Sequence, residues 1–536
     1  MDGGRRNGHG GGNFDYCGSC GACACFQKTA YDTGEQSVQQ NYKAGGQHLS
    51  MRGTRKENAY LTVWLALCLT LILSLFLVLI DGARRNGGRL ETECVTDIGL
   101  QSILAEYHRE LVKQYNIFAI DASYGTAVCS KGNTEDHLKA YLEKNLSVED
   151  IFLSQFLYRD FFGLELRKAE LPEVLLLTDE KGAVFRERAV CALGNDVGLG
   201  LLKDIQEWMQ VIEVNGLDNG DTEKEKHDLD AEVESYNGTY IEEQKDVWVP
   251  FHVDNPTAAL EEKRRLGILK LVTEGEEQLS QRALASEQLI MKRMQQGTFN
   301  QGNMKLAEQS GLEEMAERFL FQEYLLKYMG RYGCEQEEDV LKYQVEYLVS
   351  GKNSDIENLR SVAGRLCAVR EAANALYLLS NNEKRMEAQL IAEVASALLW
   401  MPELAPVLEA VILLGWAFAE SVYDVKSLLN GGRIPLLKND ESWHYSLSSA
   451  LWGELQEETR EGSGMSYADY LRIFMMLTDL DTLTARAMNM VEADIRHTPG
   501  NAVFRLDGCI VQAEADIQID SAYGYYYSIK RHAGYD

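Results

Sequence analysis

The side chains with the most evident chemistry stand near the beginning, where "CGSCGACAC" places Cys17, Cys20, Cys23 and Cys25 close together. Two thiolates in a Cys-x-x-Cys unit can reach one ion, which is why the unit wraps zinc and iron–sulfur centres. A zinc finger needs a second pair across a folded spacer, and no histidine or structured loop accompanies this one. Residues 1–50 are rich in Gly, Ser, Gln and Asn without a periodic apolar face, so they read as disordered. A blander account makes Met51 the start and "MRGTRKENAY" a short basic lead, with the first fifty residues an upstream extension. No metal site is assigned to the cluster.

Other constellations are missing from the chain. It has no His-Glu-x-x-His, no Gly-x-Ser-x-Gly elbow and no phosphate-cradling Gly-x-x-x-x-Gly-Lys-Ser/Thr loop. The nine histidines are dispersed; His108 sits in a charged helical segment and His444 beside Trp443, neither with a partner at ligand spacing. Residues 81–536 carry 77 acidic and 46 basic side chains, so a carboxylate pair could be assembled almost anywhere and is uninformative. Within 216–246 the Asp-x-Asp-x-Asp-Gly order of a calcium loop is absent. Cys94, Cys129, Cys191, Cys334, Cys367 and Cys509 are widely scattered, as buried thiols or as one or two disulfides. The expectation is a protein that is no enzyme, with no catalytic residue, no cofactor and no metal. The net charge of −29 repels phosphate backbones, which excludes nucleic acid as a partner.

The elements that would carry any function begin with "NAYLTVWLALCLTLILSLFLVLI", residues 58–80, 23 uncharged residues closed by charges at both ends. At about 1.5 Å per residue this spans a bilayer core of roughly 30 Å. A cleaved signal has a shorter apolar core and a small-residue cleavage site, which "LVLIDGARR" lacks. Residues 58–80 therefore read as a single transmembrane helix whose partner is the lipid bilayer. Arg52, Arg55 and Lys56 balance Arg84, Arg85 and Arg89, a tie under the positive-inside rule. Long downstream domains translocate largely regardless of charge, so 1–57 is placed as a cytoplasmic tail and the large C-terminal domain outside the cell membrane.

The expected fold is α+β and helix-dominated, with an antiparallel sheet in the outer domain. Residues 81–215 hold a membrane-proximal helix and the first part of that domain. Leu90, Cys94, Ile98, Ile103, Tyr107, Leu111 and Tyr115 set its apolar face, and Gly82, Gly87 and Gly88 are possible breaks. "YNIFAIDASYG" and Val174–Leu177 read as strands, "EDHLKAYLEKNL" and about 183–214 as helical. The highly charged 216–246 reads as a mobile acidic linker or insertion. Residues 247–536 form the helix-rich remainder. Helical pieces lie near 256–295 and 312–332, "DVLKYQVEYLVSG" suggests a strand, and Ser354 with Glu357 offers a capping box. Helices follow at about 383–400 and 404–429, the latter a buried core helix because Glu403 and Glu409 interrupt its apolar run. "SYADYLRIFMMLTDLDTLTARAMNMVEADIRH" is a long amphipathic helix with methionines as core fillers. Val511, Ala513, Ala515, Ile517 and Ile519 alternate with polar residues as a half-exposed strand. "IDASYG" at 120–125 is echoed by "IDSAYG" at 519–524, which suggests similar elements in one sheet.

The stretch "YLTVWLALCLTLILSLFLVLIDGARRNGGRLETE" followed by "LAEYHRELVKQYNIFAID" resembles a family of clostridial membrane proteins of unknown function. That family is related to pilin-like TadE/TadG components of tight-adherence (Tad) pilus systems. The matching positions are Thr62, Val63, Trp64 and Leu65, then Asp81, Ala83 and Arg84. Gly53 and Glu57 depart from the pattern, being one residue short of the usual prepilin-peptidase spacing. The resemblance implies a protein anchored by one helix that works by assembly with pilus or secretion machinery. The competing class is a membrane-tethered cell-surface enzyme such as a hydrolase, which two converging carboxylates of raised pKa in a cleft would favour.

Overall fold

The computed structural model describes residues 57–147, 162–194, 200–218, 221–237, 240–244, 247–250, 256–306, 314–453 and 462–535. The expected tail, with Cys17–Cys25, lies outside the described residues except for Glu57. The chain divides into two units, residues 1–76 and 77–536. In the first, helix α1 (Glu57–Leu104) begins, and its side chains from Leu61 to Phe76 are largely apolar and exposed. The stretch is long and apolar enough to cross a membrane.

In the second unit α1 continues without a break to Leu104, so Gly82, Gly87 and Gly88 do not interrupt it. Then come α2 (Arg109–Tyr115), the short β1 (Ile120–Asp121), α3 (Lys131–Leu146) and β2 (Leu164–Leu176). The chain closes with β5 (Cys509–Ser521) and β6 (Tyr526–Gly534). The intervening β3 (Tyr240–Gln244) and β4 (Val247–Pro250) make a separate two-stranded sheet.

β5 is the middle of the main antiparallel sheet. β2 pairs along one side of it, from Leu164 opposite Ser521 to Leu176 opposite Ile510. On the other side β1 pairs first, with Ile120 opposite Ile510, and β6 runs from Tyr526 opposite Asp520 to Gly534 opposite Gln512. The alternation read from the sequence faces inward as expected: Ala513, Ala515, Ile517 and Ile519 are buried with Val95, Leu100 and Ile103 of α1 and Leu138 and Leu142 of α3. The two echoed hexapeptides do share this sheet, though β1 meets the other end of β5. Pro172 interrupts the β2 ladder between Glu170 and Glu173, as an edge strand permits.

A second, larger core is helical. It is built from α4 (Asp179–Leu193), α5 (Gly200–Val214), α6 (Asp221–Ser235), α7 (Ala258–Leu266), α8 (Ile268–Val272), α9 (Ile290–Gln296) and α10 (Glu314–Tyr328). There follow α11 (Gln344–Ser350), α12 (Asp355–Ser380), α13 (Asn382–Leu398), α14 (Ala405–Leu429), α15 (Leu447–Leu451), α16 (Tyr467–Leu477) and α17 (Leu480–His497). The period-two alternation of β2 joins the cores: Val174 and Leu176 face the sheet core, Leu175 and Leu177 the helical one. α14 is the centre of the helical layer, packed by α12 and α13. It too is apolar enough to cross a membrane, but 72% of its apolar window is buried in the fold, so it is the expected core helix. Met475, Met476, Met488 and Met490 fill this core.

Several expectations fail in instructive ways. The stretch read as one long amphipathic helix is two, α16 and α17, parted at Thr478 and Asp479. "QVEYLVS" forms helix α11, not a strand, with Gln344 and Glu346 buried against polar partners that strand propensity does not register. Ser354 does precede α12, but its side chain makes no cap; the neighbouring Asp355 carboxylate instead accepts from the Lys342 and Tyr343 amides ahead of α11, at 3.0 Å each, and so ties the starts of the two helices together. Part of the acidic stretch is built into the fold: α6 packs on α14, Val233 is buried, and Lys226 is buried between Asp230 at 2.9 Å and Glu261.

Candidate functional site

Where α1 leaves its apolar half, it is fastened to the sheet by small residues. Gly88, Thr92, Val95, Thr96, Gly99, Leu100 and Ile103 form its buried face. A Cβ at Gly87 would lie 2.6 Å from Phe162 Cζ, and one at Gly99 2.8 Å from Leu142 Cδ2. These glycines let α1 approach aromatic and aliphatic side chains closely. The expected apolar face is therefore corrected: Leu90, Cys94 and Ile98 point outward and are exposed, and of that α1 set only Ile103 is buried. The sheet and α3 supply the bulk, so the helix supplies the room.

Polar contacts flank this face. The Tyr525 hydroxyl donates to Asp81 Oδ1, and that hydrogen bond raises the phenol's pKa. The Arg84 guanidinium stacks 4.3 Å from the centroid of Tyr523, and Arg85 5.7 Å from that of Tyr525. Arg531 of β6 pairs with Asp97 at 3.4 Å and Glu93 at 3.8 Å. Tyr535 Oη donates to the Leu104 carbonyl at 2.5 Å. Asp81, Ala83 and Arg84, singled out in the sequence, thus sit where helix meets sheet, and two of the three touch β6 or its preceding turn.

A second concentration of chemistry lies inside the helical core. Arg370, Glu420, Asp424 and Lys438 are all fully buried. Arg370 donates to Asp424 Oδ2 at 3.0 Å, to the Leu436 carbonyl at 2.7 Å and to Tyr470 Oη at 3.1 Å. Lys438 pairs with Asp424 Oδ1 at 2.6 Å and with Glu420, which also accepts from the His444 and Tyr445 amides at 2.8 Å each. Burial alone would push the Asp424 carboxyl up, but Lys438 and Arg370 outweigh it and hold the pKa down. Burial dominates at Glu420, whose carboxyl is raised. Two anions and two cations cancel, and the network ties the loop 433–445 to α12 and α14. His444, unpartnered at ligand spacing in the sequence, stacks on Tyr423 with ring centroids 3.9 Å apart. Both line a cavity of about 350 Å³ with Arg433, Asn439 and Trp443. His108 caps α2 and contacts Asn501 Oδ1 at 3.3 Å.

Three carboxyls have strongly raised values. Burial moves Asp339 to about 7, helped by the charge of Asp494; burial likewise moves Asp494 to about 6 and Glu346 to about 7. Asp494 spends both oxygens on structure, accepting from Val340 N–H at 2.8 Å, Gln344 at 2.7 Å and Tyr115 Oη at 2.5 Å. Glu346 accepts from Tyr467 Oη at 2.7 Å and Tyr332 N–H at 3.0 Å. Asp494, so bonded, holds elements together and leaves little for a substrate, while Glu346 Oε2 and Asp339 Oδ2 are buried without a hydrogen bond. Among the described residues the cysteines add no cluster: Cys94, Cys191 and Cys334 are exposed thiols, while burial pushes the Cys129 thiol to about 11 and Cys509 well up. Among the described residues no group of three or more His, Cys, Asp or Glu is arranged to hold a metal ion.

No curated protein and no solved structure matches the chain. The model of a family of unknown function, DUF5702, matches residues 248–521, which run from β4 through the helical core to the end of β5. This match takes in the buried Arg370–Asp424–Lys438–Glu420 network and leaves out α1, β1, β2 and β6. Because it spans just over half of the sequence, the chain belongs to the DUF5702 family.

Proposed function

We propose that this protein is a single-pass membrane protein, pilin-like or accessory to a Tad-type pilus or secretion apparatus, working by assembly and not by turnover. In this reading residues 58–80 sit in the cell membrane and the large C-terminal domain lies outside. The observation that carries it is the construction of α1. One unbroken helix of 48 residues leads from an apolar, exposed half into a half fastened on the sheet by small residues. The fastened half keeps Leu90, Cys94 and Ile98 outward at four-residue spacing, a stripe available to neighbouring helices. A tether needs only length and apolarity, whereas this helix also carries small residues that fit its continuation closely to the sheet.

The surface-enzyme reading has one observation on its side, the mutually repelling Asp339 and Asp494 with raised pKa values. The full burial and structural hydrogen bonding of Asp494 weigh against it.

The deciding experiment replaces residues 58–80 with an unrelated apolar span that keeps the outer domain displayed, then compares proteins captured by the two strains. Loss of pilus or secretion components with the generic span supports assembly. Unchanged capture and function, or substrate turnover by the purified protein, overturns it.

A further inference from the structure

Helix α13 presents two unlike faces. Its inner face, with Ala388, Ala392 and Ser396 buried, is small and packs on α14. Its outer face carries Met386, Leu390, Val394 and Leu398 at four-residue intervals, exposed by 67, 63, 54 and 76%. Residues four apart are neighbours on a helix surface, so these four form one continuous apolar ridge.

The end of this helix is also unusual. Trp400 N–H donates to the Ala397 carbonyl at 3.1 Å and Met401 N–H to the Ser396 carbonyl at 3.0 Å, the two bonds of a Schellman ending. The residue in the left-handed position of that motif is usually glycine, because a Cβ there is strained. Here it is Trp400, at φ 58° and 87% exposed. Local backbone preference argues against Trp at this position, and its ring finds little burial in the chain itself.

We propose that the α13 ridge is a self-association surface, covered by the same ridge of a second copy of this chain in a twofold, antiparallel pair. The inference goes beyond the assembly reading and stands without it. Met386, Leu390, Val394, Leu398 and Trp400 together offer on the order of 700 Å² of apolar side chain, close to the roughly 800 Å² per partner of a standard interface. A lone patch of that size is at or above the upper end for a monomer. Ridges of four-residue spacing on two copies interdigitate with axes crossing near −50°. A twofold axis makes the surface self-complementary. Centred near Ala392, an antiparallel register sets Leu390 opposite Val394 at the crossing point. Met386, Leu398 and Trp400 fill the space where the axes diverge. The acidic Glu383 and Glu387 then face the uncharged end of the other helix, so their charges do not meet. Those same carboxylates, with Glu393 and the chain's net charge of −29, disfavour an anionic bilayer as the occupant.

The test is sedimentation of the full chain in detergent, wild type against Leu390→Glu and Leu398→Glu, with thermal unfolding as a check on folding. Both positions are more than half exposed, so the variants are expected to fold as the wild type does. Wild type should sediment as a dimer at micromolar concentration, and each substitution should weaken it about tenfold or more, since a charge enters an apolar contact. A monomeric wild type at about 100 µM, or a dimer equally stable in both variants because α1 or another surface carries it, overturns the proposal.

Discussion

Gly88 of α1 lies directly against Tyr527 of β6: a Cβ at residue 88 would stand 2.6 Å from Tyr527 Oη, and that hydroxyl donates to the Arg85 carbonyl at 3.2 Å. Glycine inside a helix costs about 1 kcal/mol against alanine, so the close approach explains its presence. Gly88→Ala must displace the ring and its hydrogen bond, and is expected to destabilise the fold by about 1–2 kcal/mol. Gly364→Ala in α12, where nothing lies within 4 Å of the added methyl, should instead stabilise it by about 1 kcal/mol. Thermal unfolding of the purified chain separates the two, and stabilisation by Gly88→Ala as well would mean the junction of α1 and β6 is loosely packed.

Lys438 is the charge on which the core network balances. Lys438→Met leaves Glu420 without its ion pair inside the protein and removes one of the two cations beside Asp424. Removing one partner of a buried pair costs about 3–5 kcal/mol, since the remaining charge keeps its desolvation penalty. Adding Glu420→Gln to Lys438→Met should recover part of that loss, although the second substitution removes another polar group. Denaturant unfolding of the single and double variants measures the difference. A single variant as stable as wild type would show that water reaches the network.

The legible parts of this fold are those where one local pattern decides. The alternation from Val511 to Ile519 specified a strand with one covered face, and the uninterrupted apolar run of residues 58–80 specified a helix long and apolar enough to cross a membrane. Patterns decided by a distant partner were misread. On α1 the large residues Leu90 and Ile98 looked like the inward face, whereas Gly88, Thr92 and Gly99 turn inward because Tyr527 and Leu142 need the space. Gln344 and Glu346 hid helix α11 inside a β-like composition, their burial satisfied by Gly330, Tyr332 and Tyr467, at least 14 positions away in sequence. The charge network was invisible because Arg370, Glu420, Asp424 and Lys438 come from three segments, each of which looks like an ordinary charged position. β6 was missed for a related reason: its exposed, charged residues Lys530 and Arg531 become strand only through pairing with β5.

Asp339, Glu346 and Asp494 make the pH response of stability run opposite to the usual acid case. Each keeps its proton to about pH 6–7 when folded, against roughly 4 for an unfolded carboxyl. The folded state therefore binds more protons across that window. Their contribution is fully present below about pH 4 and is lost as pH rises through 6–7. Asp424 and Asp507, whose values are lowered, act with the other sign, and their contribution is lost only on acidification below the ordinary carboxylate range. The melting temperature is thus expected to peak near pH 5 and decline toward pH 8. Asp339→Asn and Glu346→Gln should each flatten the decline; a profile that rises from pH 5 to 8 would show these carboxyls ionised in the folded protein.

Trp400→Gly tests the α13 surface from the opposite direction to a disruptive charge. Glycine occupies the left-handed backbone position without strain, so the isolated chain should gain stability, by about 1 kcal/mol. The same change removes the most exposed ring from the end of the ridge and should weaken self-association about tenfold. Few substitutions raise the melting temperature of a protein measured dilute while loosening its dimer, and that opposed pair of shifts follows only if the strained residue serves a contact outside its own fold. A lower melting temperature with unchanged sedimentation would instead place the Trp400 ring among the packing of its own chain, and the cost of its backbone position would then be repaid within the monomer.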